Sequence, residues 1–243
     1  GLISCYLDNI LIGTGTTNAS GVATFPVSGL VTDVYQIKAV AGTGCDESIV
    51  YLPVYDPNGG FVTGGGWINS PVIAYVANPS LTGKANFGFV AKYKKGSNAV
   101  EGNTEFQFKA GDFNFKSNLL DAGTLVISGA KATYRGVGTV NGTGNYGFLV
   151  TAIDGNVTGG GGIDKFRIKV WDKNNGNAVV YDNKIGVSDN ADDATELAGG
   201  SIVIHQAKKN NAKTTVVVAK ELKETTIDAE PVPFNVIAYP NPA

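Results

Sequence analysis

The chain has 243 residues, with 21 acidic and 19 basic side chains, one histidine, two cysteines, 33 glycines and no methionine. This near balance of charge excludes a broad electrostatic footprint for nucleic acid or an anionic membrane, and no run of about 18 apolar residues is present to span a bilayer. One histidine and two cysteines also leave little material for a zinc site or a catalytic triad, while the length allows one or two domains with a real core.

In chain order, residues 1–55 read as a small β-module. YLDNILIGTGTTNASGVATFPVSG, Tyr6 to Gly29, carries tight-turn signals at Asp8–Asn9 and Ser20–Gly21. VYQIKAVAGTGCDESIVYLPV, Val34 to Val54, then supplies two long strands. The pattern predicts three or four strands in this piece. PVYDPNGG, Pro53 to Gly60, has linker composition, and residues 56–60 are read as the linker.

Residues 61–207 form the second predicted domain. It opens with FVTGGGWI, Phe61 to Ile68. Three glycines suggest a phosphate cradle, but a cradle needs a helix next. The continuation of the chain, INSPVIAYVANPS, has two prolines and no helical period. The stretch is therefore read as the first edge strand of the domain. Its glycines permit a bulge or a close backbone approach, and Trp67 is expected at the seam with the first domain.

Beyond it nearly every periodic segment has period two. Ala85, Phe87, Phe89, Ala91 and Tyr93 share a face. Phe106 and Phe108 share another, and after a Gly111–Asp112 break come Phe113 and Phe115. Phe166, Ile168 and Val170 alternate with Lys165, Arg167 and Lys169. Turn signals recur at Lys95–Gly96, Asn141–Gly142, Asp154–Gly155 and Asn175–Gly176. Short alternating strands with regular turns predict an all-β, antiparallel β-sandwich. ADDATELAGG, Ala191 to Gly200, reads as a loop. Residues 208–243 read as strand, linker and tail, with KTTVVVAK and PFNVIAY as apolar runs.

Three sets of residues are candidates for chemistry. The first is acidic: Asp172, Asp182, Asp189, Asp192 and Asp193 lie in turns and loops of the second half, with Asp154, Asp164 and Glu196 nearby. Loop carboxylates are what calcium needs, usually about six to eight oxygens; a solvated acidic loop is the competing reading, and no EF-hand spacing is present. The second set is aromatic. Strand-parity aromatics fill a core, or, exposed in a row, stack on sugar rings; Trp67 and Trp171 are the candidates for ligand contact, with a glycan as the partner. The third is Cys5 and Cys45, which match no metal-ligand spacing. They are two buried thiols or a single disulfide of a secreted protein. His205, on the face of Val203 with no cysteine or second histidine nearby, reads as exposed or structural. Asn18, Asn141 and Asn156 begin formal glycosylation sequences and read as turns.

Three stretches carry family resemblances. LIGTGTT, NASGVATF and VYQIKAV resemble the later part of bacterial immunoglobulin-like repeats. That resemblance implies a truncated Ig-like β-module whose first strands are missing, with exposed edges as the consequence. FVTGGGWI, GKANFGFVAKYKKG, GNTEFQFKAGDFNFKS, GAKATYRGVGTVNG, NYGFLVTAIDG, GIDKFRIKVWDKNNGNAVVYDN and GGSIVIH resemble, in order, the post-COAP domain family of secreted Bacteroidetes proteins. The match covers Phe61 to Gln206 and implies an all-β accessory domain with no established catalytic residues. VIAYPNPA resembles the first strand of the C-terminal sorting domain of type IX secretion, which implies an extracellular or outer-surface destination.

Together these readings predict a non-catalytic extracellular module acting in adhesion, scaffolding or filament assembly. Its partners would be other protein subunits or neighbouring domains of the same surface protein. A strand from KTTVVVAK or PFNVIAY would complete the Ig-like piece of a neighbouring chain, giving a homo-oligomer or filament. The alternative is a calcium-stabilised carbohydrate-binding module attached to an upstream enzyme.

Overall fold

The computed structural model describes residues 1–30, 33–42, 46–55, 60–206, 217–218 and 233–237. The first strands are β1 (Leu2–Leu7), β2 (Ile10–Thr16), β3 (Val22–Pro26), β4 (Asp33–Ala41) and β5 (Asp46–Tyr55). The next are β6 (Phe61–Ser70), β7 (Gly83–Tyr93), β8 (Val100–Phe108), β9 (Phe113–Leu120), β10 (Val126–Ser128), β11 (Lys131–Val140) and β12 (Thr143–Ile153). The last are β13 (Lys165–Asp172), β14 (Ala178–Asp182), β15 (Thr195–Glu196), β16 (Gly199–His205), β17 (Val217–Val218) and β18 (Pro233–Ile237). The fold is all-β and its sheets are antiparallel; among the described residues the one helical element is a single 3₁₀ turn at Lys109–Gly111. The chain divides into two units, Gly1–Val54 with Thr214–Ala243, and Tyr55–Lys213.

The first unit contains a five-stranded sheet in the order β17–β5–β4–β1–β2 and a two-stranded sheet in which β18 pairs with β3. Asp8 and Asn9 both have positive φ, 47° and 67°, as a two-residue type I′ hairpin turn requires. Residues 1–55 form five strands, not three or four. The glycines of β2, Gly13 and Gly15, sit between the two turn signals at Asp8–Asn9 and Ser20–Gly21. They face Phe25, and a Cβ on Gly13 or Gly15 would lie 3.4 or 3.5 Å from its ring. The aromatic ring thus fills the space that side chains on β2 would otherwise take. Ile3, Cys5, Phe25 and Ile37 are the larger members of this core.

The second unit is one eleven-stranded sheet. Its path runs β14–β13–β12–β11–β9–β8–β7–β6–β16, with β10 added to β11 and β15 to β13. The sheet curls over its own core. Phe87 on β7 and Phe166 on β13 are far apart in strand order, yet their rings stack at 3.9 Å and 4°. Phe89, Phe106, Phe108, Phe113, Phe115, Tyr134, Phe148 and Tyr181 complete an aromatic interior. Each such side chain, fully buried, contributes roughly 1.5–3 kcal/mol by removal from water, so this cluster is the main source of cohesion.

FVTGGGWI differs from its sequence reading. β6 is not an edge strand: it pairs with β7 on one side and β16 on the other. The glycines allow close approach on both sides. A Cβ on Gly64 would meet Phe89 and Ile202 at 2.8 and 2.9 Å, and one on Gly66 would lie 2.2 Å from the Gly199 carbonyl.

Both ends of this sheet are covered. The segment after β6 docks on β14, where Val76 N–H donates to Val180 O (3.1 Å) and Asp182 N–H donates to Ala74 O (2.9 Å). At the other end two carboxylates reach the free side of β16. Ile202 N–H donates to Asp164 Oδ2 (2.7 Å) and Ile204 N–H to Asp154 Oδ2 (2.9 Å). Covered edges prevent unplanned strand pairing.

Candidate functional site

Polar side chains concentrate on the outer face of β11, β12 and β13. Cross-strand register sets them in three rows: Lys131, Ile153 and Lys165; Thr133, Thr151 and Arg167; Arg135, Leu149 and Lys169. Period-two alternation puts the aromatic core on the other side of the same strands, so the cations have no choice of face. Five cations in so small an area repel one another unless anions join them.

The end of β14 and the segment after it supply those anions. Arg167 is fully buried. Its Nε and NH2 donate to the two oxygens of Asp182 at 3.0 and 2.8 Å. Its remaining donors reach Ser188 O (2.8 Å) and Val187 O (2.9 Å). Asp189 accepts from Lys169 Nζ (2.8 Å) and Arg135 NH2 (3.1 Å). Lys131 pairs with Asp192, Lys165 with Glu196 and Lys184 with Asp193. Asn183, also buried, acts as a substitute strand residue: its Oδ1 accepts from Ile168 N–H, and its Nδ2 donates to Phe166 O and Thr195 Oγ1.

This arrangement explains the acidic run and redirects its candidate chemistry. Asp182, Asp189, Asp192 and Asp193 each face a lysine or arginine, not a shared centre. Asp172 is apart from them and accepts from Asn174 N–H within its own turn. Among the described residues no group of three or more His, Cys, Asp and Glu is placed to hold a metal ion. Calcium must therefore displace existing cations from these carboxylates. The melting temperature is expected to be the same in calcium and in chelator; a rise of several degrees with calcium would show that the acidic segment rearranges around an ion.

Burial pushes the Asp189 carboxyl up, but the hydrogen bond and charge of Lys169, joined by Arg135, outweigh it and hold the carboxyl below its ordinary range. A group with a depressed folded pKa adds stability above its unfolded pKa, about 3.9 for Asp, and loses it as pH falls through the folded value. The urea midpoint is accordingly expected to stay level from about pH 7 to 5 and to fall below about pH 4. Asp189→Asn should flatten that fall. A drop already complete by about pH 6 would assign the acid sensitivity to a group other than Asp189.

Two of the three side chains in the middle row are exceptions to the pairing on this face. Thr133 Oγ1 and Thr151 Oγ1 are buried without a hydrogen-bond partner. A buried unsatisfied hydroxyl costs about 1–3 kcal/mol. Thr151→Val keeps the shape and removes the hydroxyl, so it is expected to stabilise the chain by about 1 kcal/mol. A loss of stability in urea unfolding would instead reveal a bridging water.

The other predicted residues lie apart from this face or at its margin. Trp67 on β6 rests against Gly199, where a Cβ would lie 2.5 Å from its Nε1, and Lys84 Nζ sits 4.8 Å from its ring centre. Trp171 on β13 is half-buried over Gly147, where a Cβ would lie 2.3 Å from the indole. Each tryptophan has its own glycine seat. The strand-parity aromatics are inside, not in an exposed row. Cys5 is buried, and burial raises its thiol pKa; Cys45, and with it the choice between two buried thiols and a disulfide, lies outside the described residues. His205 is exposed and stacks on Phe61 at 4.0 Å.

Sequence reasoning missed Lys131, Arg135 and Arg167 as members of a site. The alternation Lys165, Arg167, Lys169 resembles an ordinary solvated strand face. The available signal was the acidic run downstream, opposite in sign and close in number. Compared with known proteins, the chain matches no family model, no curated protein and no solved structure.

Proposed function

We propose that the chain is a non-catalytic, extracellular structural and interaction module of a cell-surface or secreted protein. It acts in adhesion, scaffolding or filament assembly through strand donation between subunits. The observation that carries this reading is the make-up of the first unit, where β17 adds to β5 and β18 adds to β3. The β18 ladder runs from Pro233 opposite Pro26 to Ile237 opposite Val22. These strands come from the far end of the chain, across the whole second unit. Strand addition draws on main-chain hydrogen bonds and is a general mode of recognition. An edge that accepts this strand in one chain accepts the same strand from a neighbour, and a head-to-tail exchange that does not close gives a filament. The resemblances to post-COAP domains and to a type IX sorting signal support the extracellular address.

The carbohydrate-binding alternative has less support, because the strand-parity aromatics lie in the core and Trp67 and Trp171 each pack over a glycine, not in an exposed row. Light scattering over a concentration series tests the main reading. The full chain is expected to form concentration-dependent oligomers, and a chain ending at Gln206 is expected to remain monomeric. A monomeric full chain at high concentration, with both tail segments cut readily by protease, would sink it. Binding on a glycan array would favour the alternative.

A further inference from the structure

Two turns of the second unit carry the same dipeptide, Asn–Gly, and hold it in opposite ways. One is Asn141–Gly142 between β11 and β12, the other Asn175–Gly176 between β13 and β14. A further pair, Asn58–Gly59, lies outside the described residues. The dipeptide is reactive toward itself. The glycine backbone nitrogen attacks the asparagine side-chain carbonyl carbon, and a cyclic imide closes as ammonia leaves. Glycine has no Cβ to block that approach, and an intramolecular attack gains its rate from atoms already held within reach. In a folded chain the reaction waits on the freedom of the side-chain amide and of the backbone around it.

Asn141 is held. Its Oδ1 accepts from Asn114 N–H (3.0 Å) and Asn114 Nδ2 (3.3 Å), and its Nδ2 donates to Asp112 O (2.7 Å). These partners lie on or just before β9, on one side of β11, whereas Gly142 leads into β12 on the other side. The amide must release all three bonds before it meets the Gly142 nitrogen.

Asn175 is the reverse. It and Gly176 are exposed. Among the described residues neither the Asn175 side-chain amide nor the Gly176 N–H has a hydrogen-bond partner. Gly176 has φ 58°, a left-handed conformation that favours glycine at this position. The turn leans instead on the Asn175 backbone, whose N–H donates to Asp172 O (3.2 Å) and whose C=O accepts from Ala178 N–H (2.9 Å).

We infer that Asn175 is a site of self-modification, converted by the folded chain to aspartate and isoaspartate while Asn141 is spared. The Gly176 N–Cγ bond forms, the Cγ–Nδ2 bond breaks, and the side-chain nitrogen leaves as ammonia with the proton that Gly176 gives up. Water then opens the imide at either carbonyl, so no oxidant or reductant takes part. Opening at the α-carbonyl reroutes the main chain through the side-chain carbon. The oxygen that accepted Ala178 N–H then belongs to a free carboxylate. Either product adds a negative charge to the β13–β14 turn. The inference is independent of the self-association reading.

The test ages the full chain in mildly alkaline buffer and locates the mass gain by peptide fragmentation. Asn175 is expected to convert at least about tenfold faster than Asn141 in the folded chain. In urea the two rates should converge, because the dipeptide is the same and only the fold distinguishes its copies. Amide exchange at Ala178 should rise as the chain ages, and stay level in Asn175→Gln, whose longer side chain closes a ring poorly. Equal rates in the folded chain, a difference that persists undiminished in urea, or a converted chain with unchanged exchange at Ala178 would each overturn the inference.

Discussion

Arg167→Met is expected to remove about 3–5 kcal/mol of unfolding free energy, a large fraction of the roughly 5–15 kcal/mol that holds a typical domain. The cost does not come from a lost attraction alone. Arg167 is fully buried, and its partner Asp182 is 2% exposed. Without the guanidinium, that carboxylate stays buried with no opposite charge across from it, and the Val187 and Ser188 carbonyls lose their donor. The double variant Arg167→Met with Asp182→Leu removes both charges together. Replacing a buried pair by apolar side chains is often neutral or stabilising, so the double variant should recover most of the loss. Urea unfolding of the three proteins measures the coupling directly. A single variant within about 1 kcal/mol of the parent would mean that Asp182 finds other partners when the segment after β14 moves.

The contrast between what was and was not legible in the sequence reflects the range of the interactions. Phe87, Phe89, Phe106, Phe108, Phe113 and Phe115 alternate within their own strands, so the core face could be read locally, and all of them are buried. Asp8–Asn9 sets its hairpin through its own φ angles, again a local matter. The role of the acidic segment is not local. Asp189 meets Arg135 and Asp192 meets Lys131, partners 54 and 61 residues away in the chain. Nothing in SDNADDATE alone distinguishes a cation ligand from a counter-ion. FVTGGGWI shows the same limit. Its glycines announce a close approach, but only the pairing of β16 shows that the approach happens on both sides. The strand-forming parts of the tail were visible as apolar runs, whereas their cis pairing with β5 and β3 depends on closure across the entire second unit.

Asp154 and Asp164 yield the other large expected effect, because they turn an open sheet edge into a closed one. Each carboxylate accepts two backbone N–H groups: Asp154 from Asn156 and Ile204, Asp164 from Gly155 and Ile202. The same side chain therefore fixes the loop after β12 and satisfies alternate N–H groups on the free side of β16. Hydrogen bonds to a charged group contribute about 1.5–3 kcal/mol each, with the upper end for buried ones. Asp154 is 4% exposed, and Asp154→Ala is expected to cost about 3 kcal/mol. Asp164→Ala should cost somewhat less, since its loop is more open to water. Asn at either position keeps one acceptor oxygen and should recover part of the loss. Stability is only half of the expected result. With the carboxylates gone, the free N–H groups of β16 lie beside exposed Val203 and become a template for another strand. Amide exchange should rise selectively at Ile202 and Ile204, and the double alanine variant should aggregate below its melting temperature. Unchanged exchange at those two amides would show that the edge is protected by something other than these carboxylates. The two units thus treat these edges differently: the second caps β16 with side chains, and the first adds strands from the tail to β5 and β3. A paired strand, unlike a side-chain cap, can be exchanged between copies, and the proposed self-association rests on that difference.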